Sequence, residues 1–212
     1  MSDKNKLPVI STHTLFDASF ILEFLEPTED ASVIMRATYK TGHPLNQLGK
    51  ANPMAPPYHL HFDQSETFQV ISGRLGATLG WEAEDCILTP EDGGRHTPPW
   101  TPHRIWPVPG EIEDTVILNW AHPPDTPQAM DTPFFEQLLR HVSDRHEMGK
   151  MPDVLQVMLM QHISASALVW FPRAMWLGPL RWWMPWKIQA GLAGLAGMLG
   201  YVPLPYGDQK MQ

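Results

Sequence analysis

From residue 20 to residue 120 the chain shows short runs of alternating or β-branched character, punctuated by clusters of Pro, Gly and Asp. Strands are predicted over 20–24, 32–39, 58–61, 67–71, 74–81, 85–88, 103–106 and 115–120. Prolines bound these runs and rarely interrupt them: Pro53, Pro56 and Pro57 precede the third, and Pro98, Pro99 and Pro102 crowd the loop before His103. Short strands in this number close into a small barrel or jelly roll, which leaves few raw sheet edges.

The period changes near Pro123–Pro127. Thr132 before Pro133 is a helix-start signal, an oxygen to cap free N–H groups followed by a proline that lacks one. Phe134, Phe135, Leu138, Leu139 and Val142 then recur at three-to-four spacing against Glu136, Arg140 and Asp144, which predicts an amphipathic helix lying on the barrel. A second helix is predicted from Asp153 toward Trp170. A third covers 188–199, where Gly191, Gly194, Gly197 and Gly200 recur every three residues. The domain reading is a β-barrel with N-terminal strands over 1–124 and a helical extension over 125–212. No domain-length repeat is present.

The 212 residues are 43% hydrophobic, enough for a real core. A net charge of −8 argues against nucleic acid as a partner. The single cysteine, Cys86, allows no internal disulfide and reads as a buried small apolar residue. With no basic-then-apolar leader after Met1, the chain reads as cytoplasmic or membrane-associated and not secreted. The charge is unevenly spread, with 22 acidic and 11 basic residues over 1–153 and only Arg173, Arg181 and Lys187, without any acid, over 154–207.

The chemistry concentrates at Tyr58-His59-Leu60-His61, followed by Glu66 and Gly73, with His103 further along. Residues two apart on a strand point to one face, so His59 and His61 present both imidazoles together. A tight turn over 62–65 returns Glu66 to the same place on the next strand, and a barrel brings His103 alongside. Three neutral imidazoles and a carboxylate suit one divalent transition metal, among Fe, Mn, Zn, Ni, Co and Cu, with coordination positions left open. Parity extends the face to Phe68 and Val70, and to Ile105 on the strand of His103. With Tyr58 these form the predicted pocket, an apolar one that fits a small, largely apolar organic substrate. His96 is a reserve donor, His122 a rim proton donor, and some of Trp81, Trp100, Trp106 and Trp120 would line the mouth. No Gly-rich phosphate loop and no nucleophile triad stands out.

The spacing His-x-His, four residues, Glu, six residues, Gly resembles the first motif of the cupin superfamily. Pro98 through His103 is similar to its second motif, Pro-x-Gly-x-x-His, with Trp100 at the glycine position and Pro107 where asparagine is frequent. The resemblance spans about residues 30–122. It implies a double-stranded β-helix barrel followed by the α-helices, and a metal held by His59, His61, Glu66 and His103. It further implies a metal-dependent enzyme of oxygenase, isomerase or cyclase type in specialised metabolite biosynthesis. Two alternatives stay open: a metal-independent cyclase shaping a polyketide- or terpenoid-like substrate, and a cupin that binds a small ligand or metal without turnover.

In the tail, indoles alternate with cations from Trp176 to Lys187 in the manner of residues that settle at lipid headgroups. Peripheral membrane contact through 154–207 is one reading. Burial against the barrel, or in a homodimer interface, is the other.

Overall fold

A computed structural model of the chain describes residues 4–203. Eleven strands form two antiparallel sheets. In chain order they are β1 (Val9–Leu15), β2 (Phe20–Leu25), β3 (Val33–Tyr39), β4 (His59–His61), β5 (Ser65–Ser72), β6 (Leu75–Leu79), β7 (Glu84–Leu88), β8 (Gly94–Thr97), β9 (His103–Pro107), β10 (Thr115–His122) and β11 (Ser166–Leu168). One sheet has the order β1-β2-β3-β10-β5-β8, the other β11-β4-β9-β6-β7. From β3 onward the chain crosses from one sheet to the other at every connection except the β6–β7 hairpin, around a shared interior, the double-stranded β-helix that the motif implies. All eight predicted strands are present. The strands β1, β8 and β11 escaped the sequence pattern.

The interior core runs from Phe20, Leu22, Phe24, Met35, Phe68, Val70 and Ile117 of one sheet to Leu75 and Ala77 of the other. Alternation decides which residues enter it. On β4, Leu60 points away from the histidines, into a second cluster with Tyr58, Ala167 and Val169 outside the barrel. Gly73 turns β5 into β6 at φ +70°, and a Cβ there would lie 2.9 Å from Thr115 Cα, so the motif glycine has a steric reason.

Three helices follow: α1 (Thr132–Glu147), α2 (Val154–Ile163) and α3 (Leu180–Met198). The cap of α1 is Asp131, one residue before the predicted Thr132, and its carboxylate accepts from Phe134 N at 2.9 Å. Helix α2 starts at Asp153 as expected but stops at Ile163 and does not reach Trp170. The hydroxyls of Ser164 and Ser166 both donate to Gln161 O, at 3.1 and 2.9 Å, and Ala165 turns to φ +48°. These contacts satisfy a carbonyl that one more helical turn would have used. The chain then runs back as β11 along the free edge of β4, with Ser166 opposite His61 and Leu168 opposite His59. The extension is therefore not purely helical, and part of it completes a barrel sheet.

Helix α3 begins eight residues before the predicted start, in spite of Pro185. Proline leaves the carbonyl four residues back without its helical donor. That carbonyl belongs to Arg181, and Trp170 N donates to it at 2.8 Å, so no acceptor is stranded. Among the described residues no helix is long and apolar enough to cross a membrane.

Candidate metal centre

His59 on β4 lies directly opposite His103 on β9 in the sheet register. His61, two residues along, shares the face of His59. Glu66 reaches the same point from the opposing sheet, where it pairs with Ala121 of β10. One nitrogen or oxygen from each of the four lies within 4.8 Å of the others. Opposite donors around a shared first-row ion are separated by roughly 4.2 Å, so the cluster is near the size such an ion sets. Glu66 is 4% exposed, His61 5% and His103 1%.

The hydrogen bonds fix the rings. His59 Nδ1 lies 2.8 Å from Pro57 O and His103 Nδ1 lies 2.9 Å from Thr101 O. A carbonyl only accepts, so both Nδ1 atoms carry protons, and in neutral rings the Nε2 lone pairs remain available. His103 Nε2 then meets Glu66 Oε2 at 2.7 Å. Two lone pairs at that distance repel, and the contact requires a cation, either a second ring proton or a metal ion. His61 supplies the other half of the test. Both of its ring nitrogens are buried without a hydrogen-bond partner among the described residues. Its Nε2 stands 3.4 Å from Glu66 Oε2, a contact that does not meet hydrogen-bond geometry. An imidazole buried in this way is costly unless something else uses its lone pair. The residues fit a divalent metal ion.

Electrostatics agree. Burial, then the neighbouring His103 and His61, hold the His59 imidazole well below its ordinary pKa, and burial lowers that of His61 against the opposing pull of Glu66. Burial alone would raise the Glu66 carboxyl, but His103 and His61 overcome it and hold the group well below the usual carboxylate range. Neutral rings and an ionised carboxylate are the forms that ligate.

Asn119 on β10, which the sequence reading did not single out, donates from Nδ2 to Glu66 Oε1 at 3.2 Å. Because a carboxylate only accepts, this bond fixes the amide orientation. It leaves Asn119 Oδ1 buried without a hydrogen-bond partner among the described residues.

The four residues sit on a cavity of about 130 Å³, a scale that admits one aromatic ring. Phe68 and Ile105 line it as predicted. Tyr58 and Val70 do not. Tyr58 is one residue from His59, hence on the outer face, where its hydroxyl donates to Gly80 O. Val70 shares the inner face but packs into the core away from the cavity. None of the tryptophans lines the cavity either. The closing side chains come from α1, with Phe134, Phe135, Leu138 and Leu139, and the tail adds Gln161 and Ser166. The amphipathic pattern of α1 indicates that it lies on the barrel. What the pattern could not give was which opening it covers.

His96 and His122 are not part of the cluster. Their ring centroids are 5.2 Å apart, and both approach Thr67, which faces away from Glu66 and Phe68 on β5. Cys86 is half-buried, with its thiol pKa raised by burial, and lies on β7 away from the cavity. At the second motif, Trp100 keeps the glycine-like backbone at φ +65° and donates its N–H to His61 O at 2.8 Å.

No family model matches the chain. Similar proteins are nonetheless clear. The oxidoreductase iacF of Pestalotiopsis fici is 35% identical over 69% of this chain and 70% of its own length. An oxidoreductase of Arthrobotrys oligospora is 31% identical over 89% and 70%, and the probable oxidoreductase virH of Hypocrea virens 30% over 88% and 81%. Solved structures are more distant, among them the polyketide cyclase RemF from Streptomyces resistomycificus, 14% identical with a TM-score of 0.38 over 60% of this chain and 80% of that one. By sequence and by the barrel it builds, the chain belongs to this family of oxidoreductases, on a cupin fold.

Proposed function

We propose that the chain is a metal-dependent oxidoreductase that uses dioxygen to oxidise a small, mostly apolar organic molecule bearing at least one hydroxyl group. One observation carries the reading: four convergent donors, one of them a buried histidine with no hydrogen-bond partner among the described residues, stand at an apolar cavity. When bound to His59, His61, Glu66 and His103, a first-row ion would supply Lewis acidity and open coordination positions beside the substrate.

The chain's own residues do the rest. Phe68, Ile105 and the α1 phenylalanines hold the apolar body of the substrate and exclude water. Asn119 Oδ1 accepts a hydrogen bond from the substrate hydroxyl, the donor that this acceptor lacks among the described residues. Asn119 Nδ2 meanwhile keeps the Glu66 carboxylate in register with the histidines. The names of the relatives support oxidation over isomerisation.

Elemental analysis tests the reading first. The purified protein is expected to hold about one transition-metal equivalent per chain, lost in a His59→Ala, His61→Ala variant. Equal, low metal in both would remove the proposal. Oxygen uptake with a panel of small phenols and enols tests the rest, and turnover that persists without oxygen or after chelation would replace it with isomerisation or metal-free cyclisation.

A further inference from the structure

Helix α3 reverses the usual distribution of side chains. Arg181, Pro185, Gln189, Ala193 and Ala196 face the protein and are buried. On the opposite side, at helical spacing, Leu180, Trp183, Met184, Ile188, Leu195 and Met198 are exposed. The loop before the helix adds Phe171 at 65% exposure and Trp176 at 85%. Phe171 has φ +51°, a region that L-residues rarely occupy, so this aromatic is kept outward in a disfavoured conformation with little packing in return.

This surface is built, not frayed. Arg181 Nη1 donates to Pro172 O at 2.6 Å and to Trp81 O at 3.0 Å, with the guanidinium 4.7 Å from the Trp81 ring centroid, which ties the loop to the barrel. Inside, Gln189 Nε2 donates to Ser166 O at 2.8 Å and fixes the helix against β11.

Charge says what meets the face. Residues 154–203 contain no Asp or Glu, whereas 1–153 carry a net −11. Arg173 and Lys187 are exposed, and Lys187 Nζ stands 4.4 Å from the Trp186 ring centroid and 5.7 Å from that of Trp183. Glu82, from the barrel, is the acid in the neighbouring crevice beside Met175 and Arg181. A second copy is a poor occupant, because pairing the stripe with itself doubles the charge of Arg173 and Lys187 in one interface and supplies no carboxylate to offset it.

We propose that the outward stripe of α3 and the loop 170–177 dock on an anionic lipid surface. The indoles and apolar side chains enter the headgroup boundary while Arg173 and Lys187 meet the lipid phosphates and carboxylates. The helix lies in the plane of the membrane. The proposal is independent of the metal centre.

Flotation of the full chain with phosphatidylcholine vesicles, with and without phosphatidylserine, tests it. The protein is expected to float with the phosphatidylserine vesicles and to dissociate as salt is raised. Phe171→Ala with Trp176→Ala should weaken partitioning by roughly tenfold or more, since both side chains are exposed and near-ultraviolet dichroism should stay unchanged. Arg173→Glu with Lys187→Glu should weaken it by at least about fivefold per cation, on anionic vesicles only. Absence of flotation, equal flotation with neutral vesicles, or a dimer in sedimentation that the same variants turn into monomers would each overturn it.

Discussion

Trp100 occupies a backbone position made for glycine, and the reason lies in its ring. The indole packs 4.9 Å from Phe62 and 5.1 Å from Trp182, centroid to centroid, so it links the loop before His103 to the tail. Replacing it separates the two effects. Trp100→Ala loses the packing and keeps the unfavourable φ, for a loss of about 2 kcal/mol. Trp100→Gly loses the same packing but relieves the backbone, and should be more stable than the alanine variant by about 1 kcal/mol. Urea unfolding measures both, and alanine equal to or above glycine would contradict the account. Asn119 acts through its neighbour. Asn119→Ala should weaken metal affinity by about tenfold or more in chelator competition, because the Glu66 carboxylate loses its orienting donor. His59 and His61 were legible in the sequence because strand parity converts spacing directly into direction, Glu66 because a tight turn returns it to them, and His103 through the motif resemblance. The same parity puts Tyr58, one residue from His59, on the outer face. Asn119 carried no such mark, since only cross-sheet register brings its amide to Glu66.

Elements with a regular polar–apolar alternation were readable, and the one that completes the site was not. Residues 164–169 follow an apolar helix without a charge or proline to signal the change. The switch to β11 depends on two serine hydroxyls bonding one carbonyl and on Ala165 adopting a positive φ. Position 167 tests the importance of that edge. Ala167 pairs with Leu60 inside the ladder, so Ala167→Pro should cost roughly 3 kcal/mol and reduce metal content together with stability. By comparison, Asp153→Ala removes the α2 cap, which accepts from Leu155 N at 3.0 Å and Gln156 N at 3.3 Å, together with the bond from the Tyr201 hydroxyl at 3.1 Å, for a loss of about 1–2 kcal/mol. Burial raises the Asp153 carboxyl, yet those hydrogen bonds and Tyr201 leave it below its ordinary pKa. A depressed carboxylate stabilises the fold above its unfolded pKa and stops doing so as pH falls through the folded one. The gap between wild type and Asp153→Ala should therefore narrow below about pH 4.

For the molecule as a whole, imidazoles that folding takes partly or wholly out of water make stability depend on pH. Burial lowers the pKa of His13, His122 and His141, as it does those of His59 and His61. Below about pH 6.5 the unfolded chain then binds more protons than the folded one, so stability present at neutral pH is lost as pH falls. The metal-free protein should show a thermal midpoint that declines from pH 7 to about pH 5, and a flat profile would refute this. If the proposed site takes a first-row ion, adding that ion should raise the midpoint more at pH 7 than at pH 5, since protonation competes for the ligands.

The pairing of β11 with β4 also has a consequence for biosynthesis. The strand that carries two of the four donors is sealed by residues emerging from the ribosome about a hundred positions later. Until then the nascent barrel offers an open hydrogen-bonding edge to any neighbouring polypeptide. Yield on heterologous expression should therefore respond to slower translation, lower temperature and chaperone supply.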